Sequence, residues 1–218
     1  MTARAAMSTP MTEQRVLLRS VGWQTFETLL GDLEETRSVR LFYNQGDLEI
    51  MAPLSLLHEN DNRLLEVLIG VLVEELDLEI KRTGSVTCKR EDLERGAEPD
   101  SCYYIQHEAF VRNKDKIDFD NDPPPDLVVD IEYTHSALPK LSLYASLGVP
   151  ELWRYNGDQL SIYQLVGDKY EQTQQSPTFS PIRVTEIPRF LRSSKKIGEV
   201  KMTKAFRQWV REQLDIQS

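Results

Sequence analysis

The chain has 218 residues, with 26 Lys and Arg against 35 Asp and Glu, a formal charge of −9 and a pI near 5.0. Hydrophobic residues make up 40% and charged residues 28%, which is enough apolar material for a core and too much for general disorder, and no run reaches the ~18 apolar residues of a spanning helix. An acidic balance argues against a generic nucleic-acid coat, but it leaves room for an enzyme that meets phosphates through a metal ion and a local basic face.

Met1 to Pro10 has no apolar block after Arg4, so no secretory leader is expected. Two cysteines, Cys88 and Cys102, cannot build a disulfide framework and lack metal-ligand spacing, so a reduced, cytoplasmic protein is expected. Residues 1–15 read as a flexible N-terminal arm and 16–218 as one domain with a C-terminal helix.

Trp23, Phe26, Leu29, Leu30 and Leu33 recur at helical spacing and predict a helix over Gly22 to Glu35. Arg40–Tyr43, the turn Asn44-Gln45-Gly46-Asp47 and Leu48–Met51 predict a hairpin. A helix over Glu59 to Leu76 follows, with Leu64, Leu65, Leu68, Leu72 and Leu76 as its buried stripe. Strands are expected at Glu79–Thr83, Ser85–Cys88 and Ser101–Ile105, with a charged loop from Lys89 to Gly96. After Pro123-Pro124-Pro125 come a strand over Asp126–Thr134 and a helix over Ala137 to Leu147, stopped by Gly148. Glu151–Tyr155, the turn Asn156-Gly157-Asp158 and Gln159–Leu165 make a second hairpin, with a further strand at Lys169–Gln172. The last helix runs from Glu199 to Leu214. Hairpins outnumber βαβ units, which predicts an α/β domain with a mixed, twisted central sheet flanked by helices.

The most informative segment is Asp126-Leu127-Val128-Val129-Asp130-Ile131-Glu132-Tyr133. Strand alternation puts Leu127, Val129, Ile131 and Tyr133 on one face, and Asp126, Val128, Asp130 and Glu132 on the other. Two carboxylates at i and i+2 stand roughly 7 Å apart and repel unless water or a cation relieves them. Asp100, after Pro99, begins a neighbouring strand. Three carboxylates on adjacent strands would make a hard-oxygen site for Mg²⁺ or Mn²⁺. The plain alternative is a half-solvated sheet face.

Glu98-Pro99-Asp100, Pro124-Pro125-Asp126-Leu127-Val128-Val129-Asp130 and Leu143-Tyr144-Ala145-Ser146-Leu147-Gly148-Val149-Pro150-Glu151-Leu152-Trp153 together resemble the Uma-type restriction endonuclease family of the PD-(D/E)xK nuclease superfamily. Gly46 to Pro53 and His58 also fit, and the likeness runs from about Val21 to Leu165. It implies a restriction-endonuclease-like fold and Mg²⁺- or Mn²⁺-dependent hydrolysis of DNA phosphodiesters, with a homodimer to cut two strands. By position it assigns the motif aspartate to Asp100 and the first triplet residue to Asp130. The third triplet position holds Glu132 rather than lysine, and Lys140, at the head of the following helix, is the candidate replacement. The resemblance thus implies Asp100, Asp130 and Glu132 as metal ligands, with Lys140 and His58 as further catalytic groups. This requires the three acids to converge with no arginine between them.

Other residues have plain readings beside functional ones. His58 and Glu59 also suit a helix N-terminus, and Glu66 a solvated face. His107 and His135 read as structural, and Trp153, Tyr155 and Tyr163 as core. Arg183 to Arg211 holds nine basic residues against two acidic ones, which is a DNA-facing strip, a solvated helix face or an interface with an acidic second subunit. The alternatives to a nuclease are an inactive nuclease fold that binds DNA or protein, and an accessory protein with solvated carboxylates.

Overall fold

In a computed structural model of the chain, residues 13–33, 39–53 and 55–215 are described. The helices are α1 (Trp23–Leu33), α2 (Leu56–Glu75), α3 (Glu108–Val111), α4 (Lys140–Ser146), α5 (Ile187–Ile197) and α6 (Glu199–Asp215). The first strands are β1 (Glu13–Leu18), β2 (Arg40–Asn44), β3 (Asp47–Pro53), β4 (Lys81–Gly84), β5 (Cys88–Arg90) and β6 (Arg95–Ala97). They are followed by β7 (Ser101–Tyr104), β8 (Leu127–Ile131), β9 (Glu151–Tyr155), β10 (Leu160–Val166) and β11 (Lys169–Thr173). The mixed α/β class is as expected, and none of the described helices is long and apolar enough to cross a membrane.

The strands form two sheets rather than one. A five-stranded sheet runs β1-β3-β2-β6-β5 and a six-stranded sheet runs β11-β10-β9-β8-β7-β4. The chain crosses between them after Gly84: β4 pairs with β7, whereas β5 pairs with β6. Part of the expected charged loop is therefore strand, with a single 3-10 turn at Glu91–Leu93 between β5 and β6. Residues 13–15, expected in the arm, begin β1, which lies antiparallel along β3; residues 1–12 lie outside the described residues. The β2–β3 turn has both central residues at positive φ, Gln45 at 49° and Gly46 at 95°, the conformation that closes a two-residue hairpin without splaying its strands.

The six-stranded sheet is antiparallel except between β8 and β9. Leu127, Val129 and Ile131 of β8 pack with Trp153, Tyr155 and the apolar faces of α2, α5 and α6. Val128 faces the opposite way, into a cluster with Leu143, Tyr144 and Leu147 around α4 and with Phe42 and Met51 of the other sheet. The alternation of β8 is as expected, but both faces are covered, because α4 and the five-stranded sheet close over the polar one. Helix α1 packs Phe26 on Leu41, Tyr43 and Leu48. Helix α5 was not foreseen, although Pro188 in its first turn and the spacing of Ile187, Phe190, Leu191 and Ser194 mark it.

Candidate active site

Three elements bring the expected residues together. The β7–β8 register pairs Ser101 with Val129, so one step further Asp100 faces Asp130 across the ladder. Asp100 is buried, and its Oδ2 accepts the Ile131 N–H at 2.7 Å. The Arg40 Nε stands 3.8 Å from Oδ1. Burial, opposed by His58 and reinforced by the charge of Asp130, raises the Asp100 pKa from 3.8 to about 6.

Asp130 is fully buried. The Lys140 Nζ donates to both its oxygens, at 3.1 and 2.9 Å, and sits 3.8 Å from the Phe42 ring centroid. Helix α4 starts at Lys140, which places this side chain back over the end of β8. Lys140, at the head of the following helix, thus reaches Asp130.

His58 is buried in the first turn of α2, where its backbone N–H is capped by the Ser55 Oγ at 3.2 Å. The cap is Ser55, so the His58 imidazole is free to point inward. Its Nε2 lies 3.3 Å from the Ile131 carbonyl, 3.7 Å from Asp100 Oδ2 and 3.9 Å from Glu13 Oε1. Glu59 pairs on the outside with Arg63 at 2.8 Å. Glu66 accepts from the Ser101 hydroxyl at 3.3 Å. Neither glutamate bonds to the acidic pair.

Glu132 does not join Asp100 and Asp130. It accepts the Ser136 N–H at 2.6 Å and is ion-paired to Arg154. The reason lies on the neighbouring strand, where the parallel register sets Arg154 beside Asp130 and within reach of the carboxylate two residues further on. Among the described residues no three His, Cys, Asp or Glu side chains gather closely enough to hold a metal ion. The expected three-carboxylate cluster is thereby corrected to a pair of aspartates with a lysine and a histidine.

Several participants went unread in the sequence. Glu13 accepts from Tyr133 N–H and Thr134 N–H at 2.9 and 3.2 Å, from the Thr134 hydroxyl, and from Arg15 at 2.9 Å. These bonds hold its carboxyl below the usual range although burial pushes the other way. Arg15 also bonds Glu49 at 2.6 Å, and Glu49 in turn accepts from Ser136 and from Ala137 N–H. Strand β1 and β3 therefore clamp the segment between β8 and α4. A wholly buried Glu49 between Leu48 and Ile50 was the available signal. The Tyr133 hydroxyl donates to Asp61, whose carboxyl is pushed up by burial although that bond and the charges of Lys195 and His58 oppose the rise.

The basic strip is neutralised in part. Arg207 and Arg211 bridge Glu74 and Glu75 of α2, and Arg192 bonds Asp158. It serves in part as an internal docking face. His107 is tied to Asp126 at 2.5 Å, Trp153 and Tyr155 are core, and Tyr163 is half-buried.

A family model described as "Putative restriction endonuclease" matches residues 23–192. The chain belongs to that family, Uma2. The crystal structure of a putative nuclease belonging to DUF820 from Anabaena variabilis ATCC 29413 aligns with a TM-score of 0.48 and 13% sequence identity, covering 78% of this chain and 90% of that one. No match was found among the curated proteins.

Proposed function

We propose that the chain is a metal-dependent endonuclease acting on DNA phosphodiesters, with Asp100, Asp130 and Lys140 at its centre. The observation that carries this reading is the Lys140 ammonium bonded to both oxygens of Asp130, in register beside a second buried carboxylate. Membership of the family supports it.

The donor set suits Mg²⁺ or Mn²⁺: two facing carboxylates, with the Ile131 carbonyl nearby, are hard oxygens, and a dication would relieve the repulsion that helps raise the Asp100 pKa. Such an ion, held by Asp100 and Asp130, would polarise a phosphodiester and acidify a bound water. The chain supplies the rest. The Ile131 N–H fixes the rotamer of Asp100, and Lys140 brings a positive charge for the developing phosphorane or holds the attacking water. His58, donating to the Ile131 carbonyl, positions the backbone between the two acids. Glu132 is spoken for by Arg154 and takes no part as a ligand. Both acids are buried, so substrate entry requires the residues over them to move. A homodimer would supply a second site for the complementary strand.

A second reading has its own observation. With Asp130 closed by Lys140 and Glu132 by Arg154, the fold suits a catalytically inactive module that binds DNA or protein.

The decisive experiment is plasmid nicking with Mg²⁺, Mn²⁺ or EDTA, using Asp130→Asn and Asp100→Asn as controls that keep shape. The endonuclease reading expects metal-dependent nicking that both variants abolish. Nicking by either variant at the wild-type rate, or none by the wild type in any metal, overturns it.

A further inference from the structure

The sheet carries a polar row beyond the acidic pair. On the face toward α4, Asp130 is in register with Arg154, and Arg154 with Ser161. Where this row reaches the surface there is a cleft of about 180 Å³, lined among others by Glu132, Thr134, His135, Arg154, Ser161 and Tyr163. It lies past the carboxyl ends of β8 and β9, the one parallel pair of this sheet, where the crevices of α/β sheets collect ligands.

The cleft sets a guanidinium, an imidazole, an amide and four hydroxyls beside one carboxylate, Glu132, which is ion-paired to Arg154. The Arg154 Nε is buried and has no hydrogen-bond partner. A cationic donor left unsatisfied beneath a cleft is costly unless a ligand completes it.

We propose that this cleft is a subsite for a backbone phosphate of the nucleic-acid strand, one flanking the scissile phosphate, bound by Arg154 with Glu132 as its counter-ion in the free protein. The proposal rests on the endonuclease reading for its substrate class. A planar guanidinium fork matches two phosphate oxygens, and the hydroxyls of Ser161 and Tyr163 suit the remaining lone pairs. Arrival of the phosphate displaces Glu132 from Arg154. That carboxylate also holds the Ser136 N–H, in the segment between β8 and α4, so binding at the cleft is coupled to that segment.

The test is fluorescence anisotropy of a short fluorescein-labelled DNA duplex on the full chain, across a salt series in EDTA, where no cleavage is needed. Arg154→Ala should weaken binding about tenfold or more and lower the slope of log K against log salt by about one. Arg154→Lys should keep the slope and lose part of the affinity. Glu132→Gln, which releases the guanidinium but keeps an acceptor for Ser136, should bind several-fold tighter than wild type. Wild-type affinity and slope in Arg154→Ala, or weaker binding by Glu132→Gln, overturn the proposal even if the protein nicks DNA. Loss of binding with the slope change supports it even if no nicking is found, and the catalytic reading then fails alone.

Discussion

Lys140 and Asp130, ten residues apart, meet through two hydrogen bonds of 2.9 and 3.1 Å between groups that are both about 1% exposed. A buried ion pair of this kind adds little net stability over an apolar pair of the same volume. Breaking it from one side is nevertheless costly, because it strands a charge in the interior. That asymmetry gives the pair a signature in both stability and activity.

Lys140→Met should cost about 3–5 kcal/mol of unfolding free energy by leaving Asp130 unpaired, whereas the double variant Asp130→Asn/Lys140→Met should recover most of it. Urea titration measures both. Metal-dependent nicking by Lys140→Met should fall about a hundredfold or more, as for loss of a group that stabilises transition-state charge. The double variant should regain stability without regaining activity.

The raised pKa of Asp100, about 6 against the ordinary 3.8 of an aspartate, fixes a pH dependence in the metal-free protein. Between those values the native state holds a proton that the unfolded state has lost. Stability therefore falls as pH rises from about 4 to 6 and levels off above, by about 3 kcal/mol for this group. Asp100→Asn should flatten that part of the profile and be the more stable protein at pH 8, with no metal-dependent nicking. A variant less stable than wild type at pH 8 would contradict the desolvation argument.

Glu13 works in the opposite sense. Its lowered pKa, held down by Thr134, the Tyr133 N–H and Arg15 against burial, contributes stability above its unfolded pKa, which is lost as pH falls through the native value. Arg15→Met should remove a guanidinium shared by Glu13, Glu49 and Thr134 and cost about 3 kcal/mol at pH 7. The check is chemical denaturation at pH 7 and again under acid conditions, where the gap should narrow.

Gly157→Ala tests the packing behind the site. The residue has a φ of +94°, and an added Cβ would lie 2.6 Å from the Tyr133 ring. Strain and overlap together should cost about 2 kcal/mol or more. Because Tyr133 also donates to Asp61 and stands 5.9 Å from the His58 ring, its displacement should reduce nicking as well as melting temperature.

Asp130 was legible through strand alternation and Asp100 through its place at the start of a neighbouring strand, whereas Lys140 came from the family resemblance. Glu132 was misread because alternation fixes which face a side chain takes and says nothing of who waits there; Arg154 is twenty-two residues away in sequence. Glu13, Arg15 and Glu49 were missed for the same reason, since their partners lie up to 121 residues distant.

The sequence by itself determined most of the local elements, the hairpin turns, the alternation of β8 and the kinship that goes with its motifs, because these depend on neighbours a few residues apart. Only the tertiary structure decided that there are two sheets, that both faces of β8 are buried, and which cation answers which carboxylate. Ion pairs are chosen by distance and desolvation in three dimensions, and neither quantity exists until distant strands are brought side by side.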